Sequence, residues 1–190
     1  MKLSTRLTGI AVLILAVGTT GYMLLRGTDT TPASAIVDLQ QPARYDTSET
    51  AWDDYIWPTN AGTVRTSDFA EFRRTHFHAG IDVSTGGRTG YDVYASRDGI
   101  LHSLYFDPGG YGWIIVLRHH DGYHTCYAHL SGFPARILSA YREQLAKRKR
   151  SYGFIRWNAD TVRVRKGEVI AFTGETGAGP PHLHFEIRDA

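Results

Sequence analysis

Five residues in three short segments carry the donor atoms of a metal site: His78 and Asp82 in His78-Ala79-Gly80-Ile81-Asp82, His129 in Tyr127-Ala128-His129-Leu130, and His182 and His184 in His182-Leu183-His184-Phe185. Imidazole and carboxylate are ligands that zinc accepts, and three of them leave a fourth coordination position open for water. Zinc lowers the pKa of bound water to roughly 7 and polarises a carbonyl, so the chemistry on offer is hydrolysis at neutral pH. Two histidines and one carboxylate also suit a non-haem iron centre that uses oxygen. The spacing does not divide the five into ligands and proton-transfer groups. Cys126 is the single cysteine, which excludes an intramolecular disulfide and any cysteine-based zinc finger.

These residues need elements that aim them at one point. Short β-type runs alternate with Gly and Asp turns over Gly80 to Ser84, Asp92 to Ala95, Gly99 to Tyr105, Trp113 to Arg118, Tyr123 to Ala128, Val169 to Thr173 and Leu183 to Ile187, with Asp121-Gly122 as a hairpin signal. Regular short strands of this kind predict a mainly β domain, a compact sandwich or barrel-like core. In an extended strand residues two apart share a face, so His182 and His184 project together. The same rule groups Tyr123, Thr125, Tyr127 and His129 and sends His124 and Cys126 to the other side. Gly80 permits a bend between His78 and Asp82. Gly177 and Gly179 before Pro180-Pro181 are consistent either with a close backbone approach to a site or with an ordinary loop.

One segment departs from the β pattern. Pro134 to Arg150 places Ile137, Leu138, Tyr141 and Leu145 on one helix face, with Pro134 in a first turn and the run Lys147 to Arg150 in the last turn, where it suits the helix dipole. Pro134 to Lys166 contains ten basic residues against Glu143 and Asp160, although the whole chain of 190 residues carries a net charge of only +2. The protein is an acidic body with a basic insert, and its overall balance gives no support to nucleic-acid binding. The insert reads as a solvated helix packed on the β core, or as a border of a substrate groove or a contact for an anionic surface or protein partner.

Residues 1–26 contain an uncharged apolar stretch, Thr8 to Leu25, flanked by Lys2, Arg6 and Arg26, which predicts a membrane helix or a secretory signal. Ala33-Ser34-Ala35 has the form of a cleavage site but lies far from the apolar run, which favours a retained anchor. Positive charge ahead of the span places the rest of the chain outside the cytoplasm. Residues 27–50 read as a flexible linker, and 51–190 as the folded domain, with the inserted helical segment at 133–164.

From about Trp57 onward the chain resembles the lysostaphin and LytM-type zinc endopeptidases of bacterial cell walls, peptidoglycan hydrolases of duplicated-hybrid-motif β fold. The matching stretches are His78 to Asp82, Val93 to Ala95 with Asp98 to Ile100, Gly110 to Gly112, Tyr127 to Ser131, Lys166 to Ile170, Gly174 to Gly177 and Pro181 to Glu186. The resemblance implies that His78, Asp82 and His184 hold one zinc ion per chain, with His129 and His182 as the catalytic pair that handles protons and the oxyanion. It implies peptide cross-links of peptidoglycan as substrate and a location in the cell envelope, anchored through the N-terminal segment or secreted. Some relatives lack the ligands and regulate other wall enzymes; here all five positions are filled. The segment Phe133 to Val164 is longer than the family's usual loop, so substrate preference does not carry over with the site.

Of the other histidines, His119 and His120 read as exposed hairpin residues, His76 could line the site, and His102 and His124 match no ligand position. Tyr127 reads as a packing residue that could reach the cleft beside His129, and Cys126 as a small buried core residue on the opposite face from His129.

Overall fold

The alternating runs fold as strands. The structure, a computed structural model, describes residues 54–158 and 161–189. Within them, in chain order, lie β1 (Arg65–Ser67), β2 (Phe72–Arg73), β3 (His76–Phe77), β4 (Ile81–Ser84), β5 (Asp92–Tyr94), β6 (Gly99–Asp107), β7 (Gly112–Arg118), β8 (His124–Gly132), α1 (Ala135–Lys147), β9 (Ile155–Arg156), β10 (Arg163–Val164), β11 (Val169–Thr173) and β12 (His182–Arg188). Seven of these strands correspond to the runs read from alternation. The rest, each of two or three residues, are too short to show a period. The expected membrane segment and linker lie outside the described residues. Among the described residues no helix is long and apolar enough to cross a membrane.

The main sheet is antiparallel, in the order β1-β4-β12-β8-β7-β6-β10, with β11 joining β5 to β8 and β9 pairing with β6 as branches. No ladder among the described residues joins the two ends of this order, so the sheet is open and the expected barrel-like closure is not made. β8 changes partner along its length. Its first half pairs with β12 as far as Ala128, and from Leu130 it pairs with β11, so the strand leads onto a branch.

One sheet face carries the main core. Val83, Leu104, Ile115, Leu117, Tyr127 and Leu183 pack there with Val93 and Ile170 of the branch and with Ile137, Tyr141 and Leu145 of α1. A smaller cluster, Ile114, Val116, Cys126 and Ala128, covered by Tyr105 and Tyr111, lies apart from it.

The helix forms where its apolar stripe predicts and stops earlier than its charge pattern suggests. Lys147 alone of the basic run is in the last turn, and Arg148 is the cap. Lys149 turns left-handed at φ 52°, its N–H bonds Ala146 O at 3.0 Å, and Arg150 N–H bonds Leu145 O at 2.9 Å. That pair of bonds is a Schellman stop, in which glycine normally takes the left-handed place. Beyond the helix, β9 and β10 pair with β6 and cover its otherwise open edge. Lys149→Gly is therefore expected to raise the unfolding free energy by about 0.5–1 kcal/mol, measured by chemical denaturation, whereas Lys149→Ala brings no gain.

Candidate functional site

Asp82 and His184 face each other in the β4–β12 ladder, and His182 faces Ser84 two residues away on the same side. His78 precedes β4 and reaches the same point because the chain runs very close to β12 at Gly80. A Cβ there would lie 2.2 Å from Phe185 O and 2.6 Å from Glu186 Cγ. Glycine in this motif is thus required by close packing of two backbones, a stronger demand than the bend expected from sequence.

The three buried residues bring one atom each to a common centre. His78 Nε2 lies 2.9 Å from His184 Nδ1 and 3.2 Å from Asp82 Oδ1, and His184 Nδ1 lies 2.9 Å from Asp82 Oδ1. The second nitrogen of each ring meets an acceptor. His78 Nδ1 donates to Asp68 O at 2.8 Å, and His184 Nε2 donates to Glu186 Oε1 at 2.7 Å. In the neutral rings the nitrogens that face the centre therefore carry lone pairs. Three acceptors meet with no donor among them, an arrangement that calls for a cation. Tetrahedral zinc with bonds of roughly 2.0–2.1 Å sets its ligand atoms about 3.3 Å apart, so the donor set fits with adjustments of a few tenths of an ångström. Electrostatics express the same demand. Burial disfavours charge on His184, but Asp82 and Glu186 outweigh it and its pKa rises. Burial likewise opposes ionisation of Asp82, yet His184 and Arg73 hold its carboxyl well below the usual range.

His129 reaches this centre by breaking the strand rule. Strict alternation groups it with Thr125 and Tyr127, but Tyr127 is wholly buried in the main core, its hydroxyl accepting a bond from Ser96 N–H at 2.8 Å. The ladder is irregular between Trp113 and Ile115, where two steps on β7 face three on β8, and His129 adopts φ 59°. This bulge at the point where β8 changes partner turns the His129 ring onto His182, with centroids 4.2 Å apart. Cys126 is buried as expected, and burial pushes its thiol up to about 12. The expected opposition of Cys126 to His129 fails, because the bulge puts both on the side of His184, whose ladder partner is Ala128.

Both remaining rings are tethered in the same manner. His129 Nδ1 donates to Thr176 O at 2.8 Å and His182 Nδ1 to Pro180 O at 2.6 Å, which leaves each Nε2 as the free acceptor; His182 Nε2 lies 3.5 Å from Asp82 Oδ1. Burial lowers the His129 pKa to about 4 against the pull of the Thr176 carbonyl, with His182 and His184 adding to the fall, so the ring is neutral at pH 7. The loop that supplies these carbonyls is locked to the β6–β7 turn. A Cβ on Gly177 would lie 2.2 Å from Gly110 O, and Ala178 N–H bonds Gly110 O at 2.9 Å. Of the two readings of these glycines, a close backbone approach is found for Gly177, against the β6–β7 turn, whereas a Cβ on Gly179 would meet only the His182 ring, at 3.2 Å.

Several residues of the site have no signal in the three clusters. Glu186 accepts from His184, from Tyr111 Oη at 2.8 Å and from Arg188. Burial would raise its pKa, yet these donors hold it at about 2. Tyr111 is pushed up to about 12 by burial and by Glu186. Glu186 could have been found, since it continues the His182, His184 period of two. Arg73, which donates to Asp82 Oδ2 at 2.5 Å, could not, because it comes from a separate hairpin.

The centre opens into a groove of about 1030 Å³ whose walls include Phe77, Asp107, Tyr111 and Pro181. His76 is exposed and lines it. No described residue of 133–164 does, so the described part of the basic insert does not border the groove. His120 is exposed as expected, but His119 is buried, its Nδ1 2.8 Å from Asp98 O and its Nε2 2.8 Å from Thr125 Oγ1. His102 and His124 pack against each other with ring centroids 4.7 Å apart. The left-handed backbone at His129 gives a test. His129→Gly is expected to be more stable than His129→Ala by about 1 kcal/mol in thermal or chemical unfolding, the reverse of the usual order in a strand.

Residues 76–139 match Peptidase family M23, a stretch that contains His78, Asp82 and His129. DD-carboxypeptidase/endopeptidase Mpg of Neisseria meningitidis is 37% identical over 112 residues, 58% of this chain and 20% of that protein. Murein hydrolase activator NlpD of Escherichia coli is 30% identical over 132 residues, 70% of this chain and 27% of that protein. The chain therefore spans between a fifth and somewhat over a quarter of the length of these curated relatives. Among solved structures, a zinc containing peptidase from Vibrio cholerae is 27% identical with a TM-score of 0.50, covering 69% of this chain and 35% of that one. Residues 76–139 thus carry the Peptidase family M23 match over the first motifs, a strand bearing His182 and His184 completes the same centre beyond it, and the resemblance to the lysostaphin and LytM-type family is supported.

Proposed function

We propose that the protein is a zinc-dependent endopeptidase that hydrolyses peptide cross-links of bacterial peptidoglycan. The observation that carries this reading is the convergence of three acceptor atoms, His78 Nε2, Asp82 Oδ1 and His184 Nδ1, with no donor between them. These three would hold zinc, which when bound supplies an acidic water and polarises the scissile carbonyl. His129 and His182 are the catalytic pair. Each offers Nε2 to the groove, to take a proton from the attacking water and then to bond the developing oxyanion or return the proton to the leaving amine. Their Nδ1 carbonyl tethers keep the rings in place through both transfers. The similarity to Mpg supports the peptidase class, and D-amino-acid-containing cross-links are the substrate we favour. Residues 1–26 would anchor the chain with its domain in the periplasm, or direct secretion if cleaved.

A second reading is favoured by the similarity to NlpD: a non-catalytic activator of a partner wall hydrolase, touched through the basic inserted helix, which lies away from the groove. The filled set of five residues weighs for catalysis. The full chain is expected to bind one zinc ion and to release defined fragments from purified muropeptides, read by mass spectrometry. Chelation should abolish release and zinc should restore it. His129→Ala is expected to keep zinc and lose about 10²–10⁴-fold in turnover, and His184→Ala to lose zinc. Stimulation of a partner amidase that survives His184→Ala, without cleavage by the wild type, would establish the activator instead.

A further inference from the structure

The Asp82 carboxylate is divided between two neighbours. Oδ1 faces the nitrogens of His78 and His184, while Oδ2 accepts from Arg73 Nη2 at 2.5 Å. The same nitrogen donates to Ser67 Oγ at 2.7 Å. Ser67 to Arg73 forms an arm laid along the His78 segment. Ala70 N–H bonds His78 O, and His78 N–H bonds Glu71 O, both at 2.8 Å, while Asp68 O receives His78 Nδ1. One surface arm thus holds the outer atoms of two candidate ligands. Its backbone turns left-handed at Ala70, φ 64°, and at Arg74, φ 41°, on either side of Arg73. Non-glycine residues keep such conformations only where their surroundings impose them.

A carboxylate with both oxygens available can close on a cation through two of them and fill the position that water needs. We propose that Arg73 is a positioning residue that prevents this: by occupying Oδ2 with a hydrogen-bond donor, it leaves Asp82 to bind metal through Oδ1 alone. The inference rests on the metal reading above. The Arg73 side chain is 38% exposed and that of Asp82 8%, so the guanidinium reaches from the groove wall to a largely buried carboxylate. It also repels a cation at the centre, and this opposes its positioning effect on affinity. Coordination number is therefore the discriminating readout.

The test uses the full chain loaded with cobalt(II), whose visible absorption is strong in four-coordinate sites and weaker in five-coordinate ones. Wild type and Arg73→Lys, which keeps a donor, are expected to show the four-coordinate spectrum. Arg73→Met, which keeps the stem and loses every donor, is expected to absorb several-fold more weakly, with far-ultraviolet circular dichroism of the metal-free chain unchanged. A four-coordinate Arg73→Met or a five-coordinate Arg73→Lys overturns the proposal, and the Lys variant does so even should the Met variant fail to fold. Wild-type chain that takes up neither zinc nor cobalt removes the metal reading itself, a result distinct from the other two.

Discussion

The register between β4 and β12 is the constraint on which the site depends. Asp82 opposite His184 puts two candidate ligands on one face at cross-strand distance, and His182 opposite Ser84 adds a third residue to that row. A slip of one residue would carry the whole set to the core face. β12 is held against slipping from both sides, by β4 and by β8, and Leu183 between the two histidines is wholly buried in the core. The close approach of Gly80 to β12 then sets how far His78 stands from the row. Chemistry and core packing thus share one alignment, so an error in either would be an error in both.

Around this alignment the chain places a hydrogen-bond partner on the far side of every group that faces the centre, an acceptor behind each ring and a donor behind Asp82. Two backbone carbonyls and one carboxylate fix the rings of His129, His182 and His184, and Asp68 O fixes His78. The next layer is itself satisfied, since Glu186 is bound by Tyr111 and Arg188, and Arg188 Nη2 also donates to Tyr111 Oη at 3.1 Å. A buried network with every member paired is stiff, and stiffness in the outer layers keeps inner lone pairs converging without a penalty at the moment of use. Arg188 and Arg73 are cations of this layer, one behind Glu186 and the other behind Asp82, and they help to stabilise two carboxylates whose ionisation burial opposes.

How much of this could be read from sequence follows from where the strand period holds. It holds through β12, so His182 and His184 are legible as one face, whereas the pairing that sets Asp82 opposite His184 is not. It fails at His129, where a bulge and a left-handed residue move the ring to the opposite side, so residue type made His129 a candidate while the strand period could not place it. The same failure misplaced Cys126. His119 was misread for a different reason: Asp121-Gly122 marks the turn, but nothing local shows that Asp98 O and Thr125 wait to receive an imidazole. Arg73 had no signal because its contact with Asp82 is made by a hairpin outside the main sheet. The open architecture was hidden too, since alternation reports that strands exist and not whether their ends meet.

The insert lengthens the sheet at β6, three strands along the order from the β4–β12 pair. An antiparallel ladder offers the same pairing groups at its outer strand however many strands stand behind it, so growth there leaves the alignment of the inner strands untouched. The chain therefore carries its strongly basic segment at a border of the sheet, apart from that alignment. Two kinds of constraint meet in one small domain: the β4–β12 row answers to the core and the centre together, whereas the outer edge stands outside the centre and can carry charge without disturbing that row.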